Sequence, residues 1–161
     1  EIAWGCEADD LVSIRHREDP ENTIICSRDK DLRITPGNHF GWACGKQEQF
    51  GPMLIDEIGF LELTKKGLKG GGLKFFYSQM LTGDSTDSIP GIPKKGPAFA
   101  YKILNDLDSE EDLFNAVKEV YQEYKGEDWR DYYKEQADLL WMVREVDRNG
   151  NLVKHIMYDE R

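Results

Sequence analysis

Thr23-Ile24-Ile25-Cys26-Ser27-Arg28-Asp29-Lys30-Asp31 decides how this chain of 161 residues is to be read: a short apolar run, then two aspartates two positions apart. Preceded by the turn residues Glu18-Asp19-Pro20-Glu21-Asn22, the run has the length and β-branched content of a buried strand. Upstream, Glu7-Ala8-Asp9-Asp10-Leu11-Val12-Ser13-Ile14 carries apolar residues at helical spacing. It predicts a helix to about Arg17, with Glu7 and Asp10 three apart on one face and Asp9 beside them. A helix followed at once by a buried strand predicts an α/β layered sheet, whose ligands gather outside the carboxyl ends of the strands. Asp29 and Asp31 emerge at that end, and in an extended backbone they point the same way.

Downstream the signal weakens. Glycines punctuate Leu32 to Phe76, and the patch Lys65-Lys66-Gly67-Leu68-Lys69-Gly70-Gly71-Gly72 predicts a solvated hairpin or linker in preference to a mobile loop that touches DNA backbone. Phe75 to Leu81 predicts a helix. Thr82-Gly83-Asp84-Ser85-Thr86-Asp87-Ser88-Ile89-Pro90-Gly91-Ile92-Pro93-Lys94-Lys95-Gly96-Pro97 then reads as a glycine-bounded turn into a second helix, with Pro97 in its first turn. Such a loop aims backbone N–H groups and a helix N-terminus at an anion. Ser109-Glu110-Glu111-Asp112 is an N-cap signature before a helix over Leu113 to Tyr124, and Glu127 to Arg144 continues helical. Trp129, Tyr132, Tyr133, Leu139, Leu140 and Met142 are expected in the core of that end, and Asp147-Arg148-Asn149-Gly150-Asn151 in a turn.

Composition narrows the classes. No apolar run approaches the length of a membrane span and no signal-peptide pattern opens the chain, which predicts a soluble protein of the cytoplasm. Cys6, Cys26 and Cys44 are an odd, widely spaced set without a C-x-x-C pair, so free thiols are expected rather than zinc or disulfides. His16, His39 and His155 are equally scattered and are expected at the surface. The net charge of −10 looks wrong for a nucleic-acid binder. Of the 31 Asp+Glu, however, seven lie in three short clusters, which leaves 24 against 21 Lys+Arg.

Those clusters are Glu7, Asp9 and Asp10; Asp29 and Asp31; Asp84 and Asp87. Any one alone reads as a solvated turn or a cap. Brought together, they would cost several kcal/mol per desolvated ion, to order of magnitude, unless cations neutralised them. Oxygen ligands suit magnesium or manganese. Two such ions about 3.5–4 Å apart can clamp the attacking and leaving oxygens of a phosphodiester, so hydrolysis of a phosphate backbone is the reaction class that fits. Two other readings stand beside it: a DNA-binding module without catalysis, in which the hairpin works and the acidic site is vestigial or incomplete, and a phosphatase or response regulator built on Asp9, Asp10 and Asp29. The latter leaves Gly83 to Leu104 unexplained.

Glu7-Ala8-Asp9-Asp10-Leu11, then Ser27-x-Asp29-Lys30-Asp31-Leu32, then Gly83-Asp84-Ser85-x-Asp87-Ser88-Ile89-Pro90-Gly91-Ile92-Pro93 resemble, in order, the 5′-3′ exonuclease and flap endonuclease family. The likeness is to bacteriophage 5′-exonucleases and to the 5′-nuclease domain of bacterial DNA polymerase I, and covers roughly two thirds of the chain. It implies an α/β fold, the C-terminal part of a resolvase-like or PIN-like nuclease core with a helix-hairpin-helix (H3TH) element and C-terminal helices. Residues 1–77 would be a partial nuclease core, 78–125 a duplex-binding region and 126–161 a helical segment packed on the core.

It also implies metal ligation by Glu7, Asp9, Asp29, Asp31 and Asp84, with Asp10 and Asp87 as further members, and catalytic roles for Asp9, Asp29 and Asp31. Two Mg2+ or Mn2+ would be held there. Ile89 to Leu104 would grip duplex DNA around a potassium ion lined by Gly91, Pro93 and Gly96. The family's Gly-Ile-Gly is replaced here by Lys94-Lys95-Gly96, so duplex affinity is expected from Lys94, Lys95 and Lys102. The family's first strand and helical arch do not precede Glu1, which predicts a fragment or one half of a split enzyme, weak or inactive alone, with a separate N-terminal half as partner.

Overall fold

The computed structural model describes residues 5–161. Glu1 to Trp4, with which the expected core of residues 1–77 begins, lie outside the described residues. The architecture is mixed α/β, with two small sheets and five helices among the described residues. Helix α1 (Ala8–Glu18) leads into β1 (Ile25–Cys26), the predicted strand reduced to two residues. β1 pairs in parallel with β2 (Gly37–Gly41), Ile25 opposite His39, and β2 pairs antiparallel with β3 (Phe50–Ile55). The glycine- and lysine-rich patch supplies the turn and second strand of a hairpin, β4 (Phe60–Thr64) with β5 (Gly67–Gly71), and its glycines Gly70 to Gly72 are buried instead of solvated.

Helix α2 (Gly72–Thr82) is the centre of the molecule, and every residue from Gly72 to Leu81 is buried. Its sequence explains this: Leu73, Phe75, Phe76, Tyr77, Met80 and Leu81 are apolar all round, the pattern of a helix enclosed on every side. Helices α3 (Pro97–Leu104), α4 (Glu110–Lys125) and α5 (Trp129–Leu140) pack around it. Pro97 begins α3 and the Ser109 hydroxyl accepts from the Asp112 N–H, so both helix starts follow the sequence signals. The Tyr121 hydroxyl donates to the Met80 carbonyl at 2.7 Å, a buried tie between α4 and α2. No helix among the described residues is long and apolar enough to cross a membrane.

Three expectations are corrected. The last helix stops at Leu140 instead of running to Arg144, and Leu139, expected in the core, is 61% exposed. Residues 141–144 form an extended strap: the Val143 N–H donates to Asp10 Oδ1 at 2.9 Å, and Arg144 reaches Glu57 and the Ile34 carbonyl. These bonds replace the helical ones that would have continued α5. The histidines, expected at the surface, are also buried to different degrees: His16 and His39 are 3% and 2% exposed, and His155 is packed against Phe76 and Trp141 at 4.9 and 4.8 Å. A histidine has an apolar ring and can be buried when it stays neutral.

Burial first, and then the charges of Arg161 and Arg144, push the His155 imidazole down to about 4; Asp138 opposes them. Its Nδ1 has no partner among the described residues, and the Tyr133 hydroxyl stands 3.5 Å from Nε2. The unfolded chain binds a proton near pH 6.5 while the folded one resists it down to about 4. Stability is therefore expected to fall with pH across that window, by about 3 kcal/mol from this residue. Denaturant unfolding of His155→Phe between those pH values should show a flatter slope than wild type; identical slopes would remove His155 from the account.

Candidate metal centre

The first aspartate pair does not sit in an extended strand. Past β1 the chain turns: the Asp29 N–H donates to Ser27 Oγ and the Asp31 N–H to Asp29 Oδ1, both at 3.0 Å, and Asp31 opens a 3-10 turn to Ile34. Leu32 and Ile34 are buried and anchor that turn. The short aspartate side chain accepts from the backbone two residues on and bends it. Asp29 is left exposed while Asp31 leans inward, half-buried.

From the other side, α2 ends at Gly83, whose φ of +69 turns the chain sharply. Asp84 follows, and its backbone N–H and C=O pair with the C=O and N–H of Ile89 at 2.9 and 2.8 Å, closing a loop that holds Asp87. Asp84 is 6% exposed. One carboxylate oxygen from each of Asp31, Asp84 and Asp87 lies within 4.8 Å of the others. Residues 53 positions apart thus meet because α2 brings its C-terminal end to the turn after β1.

Lys30 and Gln79 complete the cluster, and sequence reasoning missed both roles. The Lys30 ammonium donates to Asp84 Oδ2 and, at 3.1 Å, to Asp31 Oδ1. Gln79 Nε2 donates to Asp31 Oδ1 at 2.7 Å and lies 3.4 Å from Asp84 Oδ2. A lone amide in the apolar run of α2, five residues before Asp84, was the available signal. Burial would raise the Asp84 carboxyl, but the Lys30 ammonium and the Thr86 N–H outweigh it and hold the group below the ordinary carboxylate range. Asp31 goes the other way: burial raises it more than Gln79 and Lys30 lower it.

The third acidic group lies on the first turn of α1. Burial chiefly, then the charges of Asp29, Glu7, Asp10 and Asp31, raise the Asp9 carboxyl, which places Asp9 within electrostatic reach of the other clusters. Glu7 is the exposed N-cap of α1 and makes no side-chain cap bond. Asp10 is engaged by the Val143 N–H, a structural use that its spacing did not announce.

The donor set suits a hard divalent cation. All three converging side chains are carboxylates, and beside them Gln79 Oε1 is buried with no donor among the described residues. The Lys30 ammonium balances part of the negative charge, as a cation would.

Of the residues expected to bind DNA, Lys94 and Lys102 are exposed, and Lys94 has a φ of +66 in the turn before α3. Lys95 lies 4.4 Å over the Phe99 ring and 3.7 Å from Glu123. Gly96 is the N-cap of α3, Pro93 is exposed, and the buried Gly91 offers its carbonyl to the Tyr132 hydroxyl at 2.9 Å.

Comparison with curated proteins finds relatives with two kinds of name. A DNA polymerase I of Rhizobium leguminosarum is 31% identical over 124 residues, 73% of this chain and 11% of the polymerase. A 5′-3′ exonuclease of Buchnera aphidicola subsp. Acyrthosiphon pisum is 29% identical over 119 residues, 72% of this chain and 39% of the exonuclease. A DNA polymerase I of Bacillus subtilis is 36% identical over 66 residues, 41% of this chain and 7% of the polymerase. The chain therefore spans well under half of the curated relatives it matches. No family model matches it, and no solved structure does. The resemblance carried by the acidic motifs is thus a homology to proteins named 5′-3′ exonuclease and DNA polymerase I.

Proposed function

We propose that this chain is part of a 5′-nuclease of the 5′-3′ exonuclease and flap endonuclease family, hydrolysing DNA phosphodiester bonds with divalent cations. The observation that carries the reading is the convergence of Asp31, Asp84 and Asp87 about Lys30 and Gln79, in a chain some of whose relatives are named 5′-3′ exonuclease. The fold would be the C-terminal part of a PIN-like core. Residues 89–104 would serve as its helix-hairpin-helix, with Lys94, Lys95 and Lys102 toward the duplex and a potassium ion near Gly91, Pro93 and Gly96.

Asp31, Asp84 and Asp87 would hold one Mg2+ or Mn2+, and Glu7, Asp9 and Asp29, with Asp10 behind them, a second. A divalent cation bound there supplies Lewis acidity toward a phosphate oxygen and lowers the pKa of water. The residues do the rest. Gln79 fixes Asp31 and Asp84, the Thr86 N–H orients the remaining Asp84 oxygen, and Lys30 limits the repulsion between the two carboxylates. Water attacks the phosphorus in line, the bond to the 3′ oxygen breaks, and the product carries a 5′ phosphate without a covalent enzyme intermediate. The setting would be bacterial or phage-infected cytoplasm, with an N-terminal half of the nuclease supplied by the rest of the protein or by a second chain.

One feature favours a second reading, a duplex-binding module without catalysis: Lys30 already neutralises part of the acidic cluster. Cleavage of a 5′-labelled flap or nicked duplex separates the two, run with Mg2+, with Mn2+ and with chelator, on the chain alone and joined to its N-terminal complement. Metal-dependent release of short 5′ products is expected. Binding without cleavage under every condition would leave the non-catalytic module.

A further inference from the structure

Beside the acidic cluster stands an arginine with no hydrogen-bonded partner among the described residues. Arg33 lies in the 3-10 turn that begins at Asp31, and its guanidinium carbon sits 4.2 Å over the Phe50 ring. Its Nε–H is buried without an acceptor among the described residues, where no hydrogen bond or ion pair engages the guanidinium. Asp29 and Asp31 are near enough for their charges to act on it, yet neither bonds it.

The platform under Arg33 is built. Phe50 starts β3 and lies across Gly41 of β2, where an added Cβ would stand 2.1 Å from Phe50 Cε1, so the ring's seat depends on that glycine. Arg28 approaches the same ring at 5.5 Å and is locked in place by Gln47 Oε1, at 2.6 and 3.0 Å, and by the Trp42 and Glu48 carbonyls. Two guanidinium groups therefore share one aromatic ring at the edge of the acidic cluster, one tied to the protein and one without an acceptor among the described residues. Stacking occupies a guanidinium's face and leaves its N–H edge, a fork that matches two oxygens of a phosphate.

Resting on the nuclease reading above, we infer that Arg33, seated on Phe50 beside Arg28, binds a phosphodiester of the cut strand next to the scissile one. Carboxylates that gather cations and a guanidinium that lacks an oxyanion then contact successive phosphates of one backbone.

The test uses the complete nuclease with Arg33→Gln, Arg33→Ala and Arg33→Lys, each checked for wild-type thermal unfolding. Binding of a nicked duplex is followed by fluorescence anisotropy in chelator, across about 50–200 mM salt. Cleavage is followed with Mg2+. Arg33→Gln and Arg33→Ala are expected to lower affinity about ten- to a hundredfold, with KM raised more than kcat is lowered. Each should reduce the salt slope by about one phosphate contact. Arg33→Lys keeps the charge, so its slope should stay at the wild-type value while KM rises, the loss of the fork alone. Wild-type cleavage with unchanged affinity and slope in the variants would overturn this inference and leave the nuclease reading intact. Absence of both binding and cleavage in the wild-type protein would overturn both.

Discussion

Asp84→Asn in the complete nuclease is expected to reduce metal-dependent cleavage by well over the roughly 10–100-fold that follows loss of an outer-shell partner, with duplex binding in chelator unchanged. Asparagine keeps the shape of the side chain and can still accept from the Thr86 N–H, but it removes the buried negative charge that Lys30 and Gln79 converge on. The loop geometry survives because the Asp84–Ile89 pairing is made by backbone atoms. Lys30 keeps Asp31 as a partner and is itself half-exposed, so the stability cost should stay near that of a surface pair, about 1 kcal/mol or less. Cleavage within a few-fold of wild type would exclude Asp84 from the cation site. Equal loss of duplex binding would show that the acidic cluster and the 89–104 element are not separable.

Gly83→Ala should be the most damaging single-atom change near the site. The residue has φ +69 and ψ −176, a conformation essentially confined to glycine. A Cβ there would stand 2.2 Å from the Ile89 carbonyl oxygen, with the backbone of Pro90 and Gly91 at 2.6 and 2.7 Å. All three are main-chain atoms with little freedom to yield. We expect a loss of about 3 kcal/mol or more in denaturant unfolding, at the upper end for a forced backbone conformation. Among molecules that remain folded, cleavage should also fall, because the loop that must shift carries Asp84 and Asp87. A variant with an unchanged unfolding midpoint would mean that this turn relaxes freely.

Much of this was legible where the chain's own chemistry decides the outcome. The helical spacing of Glu7 to Arg17 and the apolar run Phe75 to Leu81 declared their helices, the second three residues short at its start, and Pro97 and Ser109 declared helix starts by the bonds they lack or make. The meeting of Asp31 with Asp84 and Asp87 could be suspected from their recurrence at element ends. The role of Lys30 as their counter-charge could not, since it depends on a turn and a helix end being juxtaposed. Trp141 to Arg144 carries no helix breaker, and only partners far along the chain pull it out of α5. His16 and His39 look like surface residues until Thr23 and the Thr35 carbonyl, brought to them by the fold, take up their ring nitrogens.

The strap also fixes the order in which the molecule can be completed. Its bonds to Asp10, Ile34 and Glu57 join positions 133, 110 and 87 residues apart. Contacts of such span require long loops to close and form late relative to the helical contacts of α2, α4 and α5. The helix carrying Glu7 and Asp9 therefore gains one of its fixed points only after residue 143 has been synthesised and has docked. A nascent chain halted before the strap would carry all seven clustered acids while α1, and with it Glu7 and Asp9, still lacked its bond from residue 143.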